Sequence, residues 1–442
     1  MPQYANGGDT IGIGMEGLTR ETLHGSWNGK EINMKRRVTA ILLFLFVCGL
    51  PTVGIAGVTL DYAVVGFESV LPLHAELIDA FNESQPGIHA DLRNFPGDTE
   101  NVMLEKLTVE VAAGAGPDVL YFNDKALPAF ASIGALADIT SYVNRDMKGD
   151  LSDFFPTSVD AYRMGSALYG LPGVLHALTV YYNNDLFEKA GIRYSHNWTV
   201  DDFTTIARRT TIQEADGRVT QYGLNGFNWW PAFLPFLWMY GGDFFTPVLP
   251  DRETFVPKAD SPQSLEALQW LEGTVSAKLH GGNFSGGTAA MRVSNSSEGN
   301  FVFGDNWDYA HIPTGPKGTK VSRLSSTGWV MGANSKHKDE AWELMRFLFK
   351  ADSIGKFATL SNGLGSRRSV VAKMVSASAQ ISQRKATLFE ILEYVKPHPS
   401  CAVNVTSIEA AIRKWYSPLY SGNIDSLQMA NSLQSELRAL LP

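Results

Sequence analysis

The chain has 442 residues, of which 44% are hydrophobic, 11% aromatic and 19% charged; this length calls for two or three domains, and the composition excludes wholesale disorder. Lys and Arg together number 37 against 45 Asp and Glu, and the resulting net charge of -8 repels phosphate backbones, which argues against nucleic acid as a partner. Two cysteines, Cys48 and Cys401, exclude a disulfide framework and a four-cysteine zinc site by count.

Residues 1–33 are Gly-rich and polar, and read as an extension upstream of a start at Met34 that is not native to the protein. Lys35, Arg36 and Arg37 then precede an apolar stretch ending in the small-x-small site Gly54-Ile55-Ala56, the pattern of a secretory signal peptide over residues 34–56. The apolar core is about half of the roughly 20 residues that a membrane span needs, so a mature periplasmic chain starting near Gly57 is expected. Cys48 follows Leu45, Phe46 and Val47, too bulky for a lipid-attachment site, and Cys401 is expected to be a small buried hydrophobe.

From residue 58 the pattern alternates. A β run to Gly66 is followed by helical spacing over residues 71–82, a Gln85-Pro86-Gly87 turn, a strand over 88–95, a helix over 99–113 and a buried strand over 119–122. A second series opens with a strand over 175–183 and a helix over 199–209, with Thr199 as N-cap and Asp201 and Asp202 in its first turn. A helix over 261–278, strands over 309–312 and 329–332, a periodic helix over 338–350 and a mainly helical tail complete the chain. Strands alternating with amphipathic helices predict an α/β fold with a largely parallel sheet.

Catalytic signatures are missing from the sequence: there is no Gly-x-Ser-x-Gly, His-Glu-x-x-His, P-loop or Cys-x-x-Cys, and no histidine pairs with another His or Cys at metal-ligand spacing. A carboxylate pair has no fixed spacing, so a glycosidase stays open on these grounds. The segment NGFNWWPAFLPFLWMYGGDFF, residues 225–245, packs aromatics among prolines and glycines. It reads either as a hydrophobic mini-core or as a carbohydrate platform, in which indole faces meet the C–H faces of sugar rings. Trp229 and Trp230, beside Asn228 and Pro231, fit the platform better than Trp238, which sits in a continuous apolar run.

Six segments in order, FNESQPGI, AGAGPDVLYF, LYGLPGVLHALTVYYNNDLFEKAGI, the Gly-Gly at 241–242, FSGGTAAM and SSTGWVMGANSKHKDEAWELMRFL, resemble the extracellular solute-binding proteins, family 1, the maltose-binding-protein-like components of carbohydrate ABC transporters. The resemblance implies a two-lobed periplasmic-binding-protein fold of type II, with lobes joined by hinge strands: residues 57–175 and 312–350 in lobe one, 176–311 and 351–442 in lobe two. It implies a monomer that binds a small-molecule carbohydrate or polyol in the cleft, works with ABC permease subunits, is not an enzyme, and needs no cofactor or metal.

Ligands of open α/β sheets sit beyond the carboxyl ends of strands. Candidate contacts on that basis are Phe67 and Glu68, where Glu68 is either a sugar acceptor or a solvated acid at a helix start, and Asn123 with Asp124. By resemblance, His176 falls in a hinge, as a ligand contact or as a histidine satisfied by backbone. Gly328 and Trp329 match a glycine and a tryptophan that border the ligand. Arg367, or Arg368 in its place, lies in a cleft-edge segment where Gly365 replaces the usual proline, and Ser294 and Asn295 stand where relatives carry a Gly-x-Trp-like loop. Beside a sugar or sugar alcohol, the alternatives are a glycerol phosphate or glycerophosphodiester, which calls for Arg367 or Lys125 at helix N-termini, and a secreted glycosidase.

Overall fold

Eleven strands form the main sheet among the described residues. They are β1 (Val58–Val65), β2 (Ile88–Phe95), β3 (Val119–Asn123), β4 (Gly170–Asn183), β5 (Ile212–Gln213), β6 (Val219–Asn225), β7 (Ala289–Asn295), β8 (Trp307–Ala310), β9 (Ser322–Met331), β10 (Leu364–Gly365) and β11 (Val395–Pro397). The longer helices are α1 (Leu71–Ser84), α2 (Glu100–Ala112), α3 (Val200–Thr210), α4 (Pro262–Ser276), α5 (Lys338–Leu348), α6 (Ala351–Leu360), α7 (Arg368–Ser376), α8 (Ala379–Leu392), α9 (Val405–Tyr420) and α10 (Ser426–Ala439). The computed structural model describes residues 57–65, 70–95, 100–299, 306–361, 363–376, 379–402 and 405–441. The expected extension and signal peptide, with Cys48, and the candidate contacts Phe67 and Glu68 lie outside the described residues.

Local chemistry fixes the element ends. Thr199 and Asp202 form a reciprocal capping box at the start of α3, as its sequence predicts. After α1, Gln85 Oε1 accepts from the backbone N–H groups of Gly87 and Ile88 at 2.9 and 2.8 Å, closing the turn into β2. The periodic residues Ala341, Leu344, Met345 and Leu348 are all buried on α5.

The sheet order is β2-β1-β3-β9-β4-β7-β6-β5, with β8 and β10 paired to β4 and β11 paired to β9. Parallel pairing, as expected, is found towards the flanks, where β1 is parallel to both β2 and β3, and β7 to β6, although the edge strand β5 pairs antiparallel with β6. The middle does not, because β3–β9, β9–β4 and β4–β7 are antiparallel. Here the chain passes between two packing regions along extended strands instead of returning through a helix, so the right-handed crossover that makes strands parallel is absent.

The 14-residue strand β4 carries this passage. Its Leu171 and Val174 belong to a first core with Leu60, Phe122 and Trp342, while Val180 belongs to a second core with Phe203, Phe236 and Tyr416. Between them Leu175, Ala177 and Tyr181 join Trp307, Leu324 and Ile391 in a third cluster. Ile354, Phe357, Val370 and Met374 pack in the first core, so the expected change of lobe at residue 351 does not coincide with a change of core. Cys401 is buried in the second core, as its sequence context predicts.

Strand β4 starts five residues before the predicted position and includes Pro172, which has no N–H to give a ladder. The register of β9 shifts between Thr327 and Gly328, opposite Val174 and Pro172, and this irregularity accommodates the proline. Gly328 is required by that approach: a Cβ there would lie 2.1 Å from the Leu171 carbonyl oxygen. Trp329 is fully buried, its indole N–H donates to the Tyr62 hydroxyl at 2.8 Å, and its ring lies over Gly173, where a Cβ would sit 2.5 Å from Cζ3. The pair expected to border a ligand is therefore core structure, shaped by strand-to-strand contact.

Removing the Trp329 ring should lower unfolding free energy by roughly 3–5 kcal/mol, as for other buried tryptophans. Gly173→Ala should cost about 1–3 kcal/mol in the wild-type background and clearly less beside Trp329→Ala, since the clash partner is gone. Urea denaturation of the two single variants and the double variant measures this, and strict additivity would contradict the packing described.

Candidate functional site

Polar side chains from β3, β4, β7, β9 and β11 gather where the two cores meet. At the end of β3, Asn123 caps a short turn of 3-10 helix, Asp124–Ala126, with Oδ1 accepting from the Lys125 N–H at 2.9 Å. That commits the oxygen to backbone and turns Asp124 inward, where it is 3% exposed. Asp124 Oδ2 accepts from Ser326 N and Oγ at 3.3 and 3.0 Å, while Oδ1 has no partner within the protein. Burial pushes this carboxyl up to about 6, against the opposing pull of the Ser326 bonds and of Arg323 and Arg252.

Arg323, near the start of β9, is buried. Its Nη2 donates to Asn295 Oδ1 at 2.7 Å and its guanidinium carbon lies 5.2 Å from the centre of the Trp229 ring, while Nε has no partner. Burial lowers the guanidinium to about 10, which leaves it charged at neutral pH. His176 on β4 has an unpartnered Nδ1 and is lowered to about 4 by burial and by Arg323. His398, after β11, has an unpartnered Nδ1 as well, and burial with Arg323 and Lys125 drives it well below the ordinary histidine value. Both rings are neutral at pH 7. Four buried polar atoms without protein partners thus lie in one electrostatic neighbourhood centred on Arg323.

The aromatic wall divides differently from the expectation, which paired Trp229 with Trp230: only Trp229 keeps an exposed face, because the short turn that follows it folds Trp230 into the second core. Trp229, 39% exposed, faces Arg323, whereas Trp230 is buried in the second core with its ring 5.5 Å from His398 and 6.1 Å from Phe244. Trp238 is core. Lys125 pairs with Glu409 of α9 at 3.3 Å, and Arg252 Nη2 donates to the carbonyls of Ala161, at 3.1 Å, and Arg163. Each of these contacts ties an element of the first-core side to one of the second-core side.

Other candidates are used up elsewhere. Ser294 is 1% exposed and its hydroxyl donates to the Glu298 carboxylate, which Arg292 Nε also contacts at 2.9 Å. Arg367 is 6% exposed, donates from Nε to the Phe349 carbonyl at 2.9 Å, pairs with Asp153 and Asp150 at 3.3 and 3.4 Å, and covers the Phe154 ring. Arg368 pairs with Glu393 and covers Phe155. Neither arginine stands at the polar cluster, because acids of the 150–153 turn and Glu393, just past α8, neutralise them in place. Arg323, Arg252, His398 and Glu409 escaped the sequence reading: Arg323 sits in a polar stretch that hid the early start of β9, and His398 between two prolines that read only as a break.

The sequence profile of the bacterial extracellular solute-binding proteins matches residues 71–353. A "binding protein" of Brucella abortus is 28% identical over 305 residues, covering 65% of this chain and 70% of its own. The mannitol-binding protein of Pseudomonas aeruginosa is 25% identical over 380 residues, covering 79% and 83% respectively. Among solved structures, the sugar-binding protein MalE of Xanthomonas citri superposes with a TM-score of 0.74 at 21% identity over 86% of this chain and 97% of its own. The cyclic alpha-maltosyl-1,6-maltose binding protein of Arthrobacter globiformis does so at 0.73 and 18% over 87% and 99%. The two cores joined by antiparallel crossing strands are accordingly the two-lobed type II periplasmic-binding-protein fold, and the chain belongs to the bacterial extracellular solute-binding protein family.

Proposed function

We propose that this protein is the substrate-binding component of an ABC importer, exported behind the signal peptide at residues 34–56, that captures a neutral sugar or sugar alcohol between its lobes and delivers it to a permease. The observation that carries this reading is that Asp124 Oδ1, Arg323 Nε, His176 Nδ1 and His398 Nδ1 are buried and unpartnered, that Asp124, His176 and His398 all feel the charge of Arg323, and that Arg323 lies over the ring of the part-exposed Trp229. A polyhydroxylated ligand supplies both donors and acceptors to such a set, and its C–H face suits an indole. In this reading lobe one takes residues 57–175 and 312–350 together with helices α6 and α7, and the rest of the mature chain forms lobe two.

Charge at the site favours a neutral ligand over a phosphodiester. Asp124 opposes Arg323, Lys125 is paired with Glu409, Arg252 is bound to carbonyls and Arg367 is held by Asp150 and Asp153. The family and the compared structures are binding proteins, which supports capture without turnover. Ligand contacts from both lobes exist together only in the closed form, so binding draws the population toward closure. A micromolar dissociation constant, about -8.2 kcal/mol, is within reach of a few such hydrogen bonds and one stacked ring.

A thermal-shift panel of sugars, polyols and glycerophosphodiesters, with product analysis of each hit, tests the assignment. Stabilisation by a sugar or polyol without product is expected; stabilisation by phosphodiesters alone, or product formation, would overturn it. For the best ligand, Trp229→Ala should weaken binding more than tenfold in isothermal titration, and unchanged affinity would remove that ring from the site.

A ligand hydroxyl that donates to Asp124 favours the carboxylate, so protons compete with it below the free-protein value of about 6. Affinity should therefore hold near pH 7 and fall about tenfold by pH 5. Asp124→Asn should bind more weakly at pH 7 and lose this slope, as titrations at the two pH values will read. The carboxyl is raised above its unfolded value, so its own contribution to stability is fully present below about pH 4 and is lost as pH rises through about 6.

A further inference from the structure

His196, His311 and Glu390 are far apart in sequence, yet each offers one ligand atom such that all three atoms lie within 4.8 Å of one another. They come from three elements: His196 from the loop ahead of α3, His311 just beyond β8, and Glu390 from α8. None of the three belongs to the polar cluster around Arg323.

His311 is the fixed member. It is 2% exposed, its backbone N–H donates to the Tyr194 hydroxyl at 2.8 Å, and its carbonyl accepts from the Trp198 indole at 3.0 Å. The ring is clamped through Nδ1, 2.6 Å from the Tyr394 hydroxyl, which leaves Nε2 facing Glu390 Oε2 at 3.0 Å. A phenol both donates and accepts, so Tyr394 serves either tautomer. It donates to Nδ1 when Nε2–H is bonded to Glu390, and accepts from Nδ1–H when the Nε2 lone pair is engaged by a metal. An outer partner on the second ring nitrogen is the usual support of a metal-bound histidine.

Two atoms bound at about 2.0 Å on a tetrahedral ion stand roughly 3.3 Å apart, close to the observed Nε2 to Oε2 separation. The His196 ring lies with its centre 5.4 Å from that of His311, and as an exposed side chain it closes the remaining gap by rotation. Lys320 is the opposing charge nearby. Its Nζ is directed to the His196 carbonyl at 3.4 Å and lies 5.0 Å from the centre of the Tyr394 ring, so its ammonium is occupied outside the three ligand atoms.

We propose that His196, His311 and Glu390 form a binding site for a divalent transition-metal ion, Zn2+ first among them, with the fourth position left to water. Two imidazoles and one carboxylate suit Zn2+ and disfavour Ca2+ and Mg2+, which take oxygen ligands. Bound there, the ion staples α8 to the end of β8 and to the loop that leads into α3.

Isothermal titration of the EDTA-treated protein with ZnCl2 is expected to show one site of micromolar or tighter affinity, a raised melting temperature with Zn2+, and no such response to MgCl2. His196→Ala and Glu390→Gln alter exposed side chains and should each weaken Zn2+ binding at least tenfold, while their melting temperatures in EDTA stay at the wild-type value. Absence of Zn2+ binding by the wild type, or affinity unchanged in either variant, would overturn the three-ligand site.

Discussion

The antiparallel pairing of β4 with β9 is the contact on which both the architecture and the site depend. Seven register pairs run from Leu324 opposite Ala177 to Val330 opposite Gly170. Along those pairs the chain leaves one core for the next, and from the same strands Arg323, Ser326 and His176 project into the polar cluster. The glycines that let these strands approach explain why the Gly328 and Trp329 pair is spent on packing. Close backbone contact at Leu171 and an indole seated on Gly173 leave no face of Trp329 for a ligand.

The polar cluster is costly as it stands. A buried donor or acceptor left unpaired costs roughly 1–3 kcal/mol, and Asp124, Arg323, His176 and His398 each carry such an atom. On the proposed function, those costs would oppose closure without ligand and would be relieved when hydroxyls fill the set, so the groups that weaken an empty closed form would be the ones that make ligand binding favourable. Lys125–Glu409 and the bonds from Arg252 to Ala161 and Arg163 act in the other direction, since they join the two sides directly. On the same proposal, the balance between these contacts and the unpaired atoms would set how far closure waits for ligand.

Sequence pattern carried the elements well wherever local chemistry fixes them. The Thr199 cap, the Gln85 turn and the apolar face of α5 are all satisfied within a few residues of chain, so period and capping reveal them. The position of Asp124 was legible from the loop that follows a buried strand of an α/β sheet. What escaped depends on partners far along the chain. Nothing local separates Arg323, which is buried against Asn295 and Trp229, from Arg367, which is buried against Asp150 and Asp153. The choice is made by which acids the fold brings alongside. The same holds for the histidines: no spacing joins His196, His311 and Glu390, and only the meeting of a loop, a strand end and a helix does so.

The aromatic stretch at residues 225–245 divides between buried rings and one exposed ring. Phe227, Trp230, Phe233, Phe236 and Trp238 are all buried in the second core, where they hold the short helices after β6 against α4 and α9. Trp229 alone among its tryptophans keeps a large exposed face, and it does so as the cap position of the turn that buries Trp230. A rigid anchor one residue away fixes the backbone of Trp229, and Arg323 lies over its ring. If a sugar stacks on it as proposed, an exposed indole held in that manner would lose little conformational freedom, so the dense core behind it would contribute to affinity by removing an entropic cost.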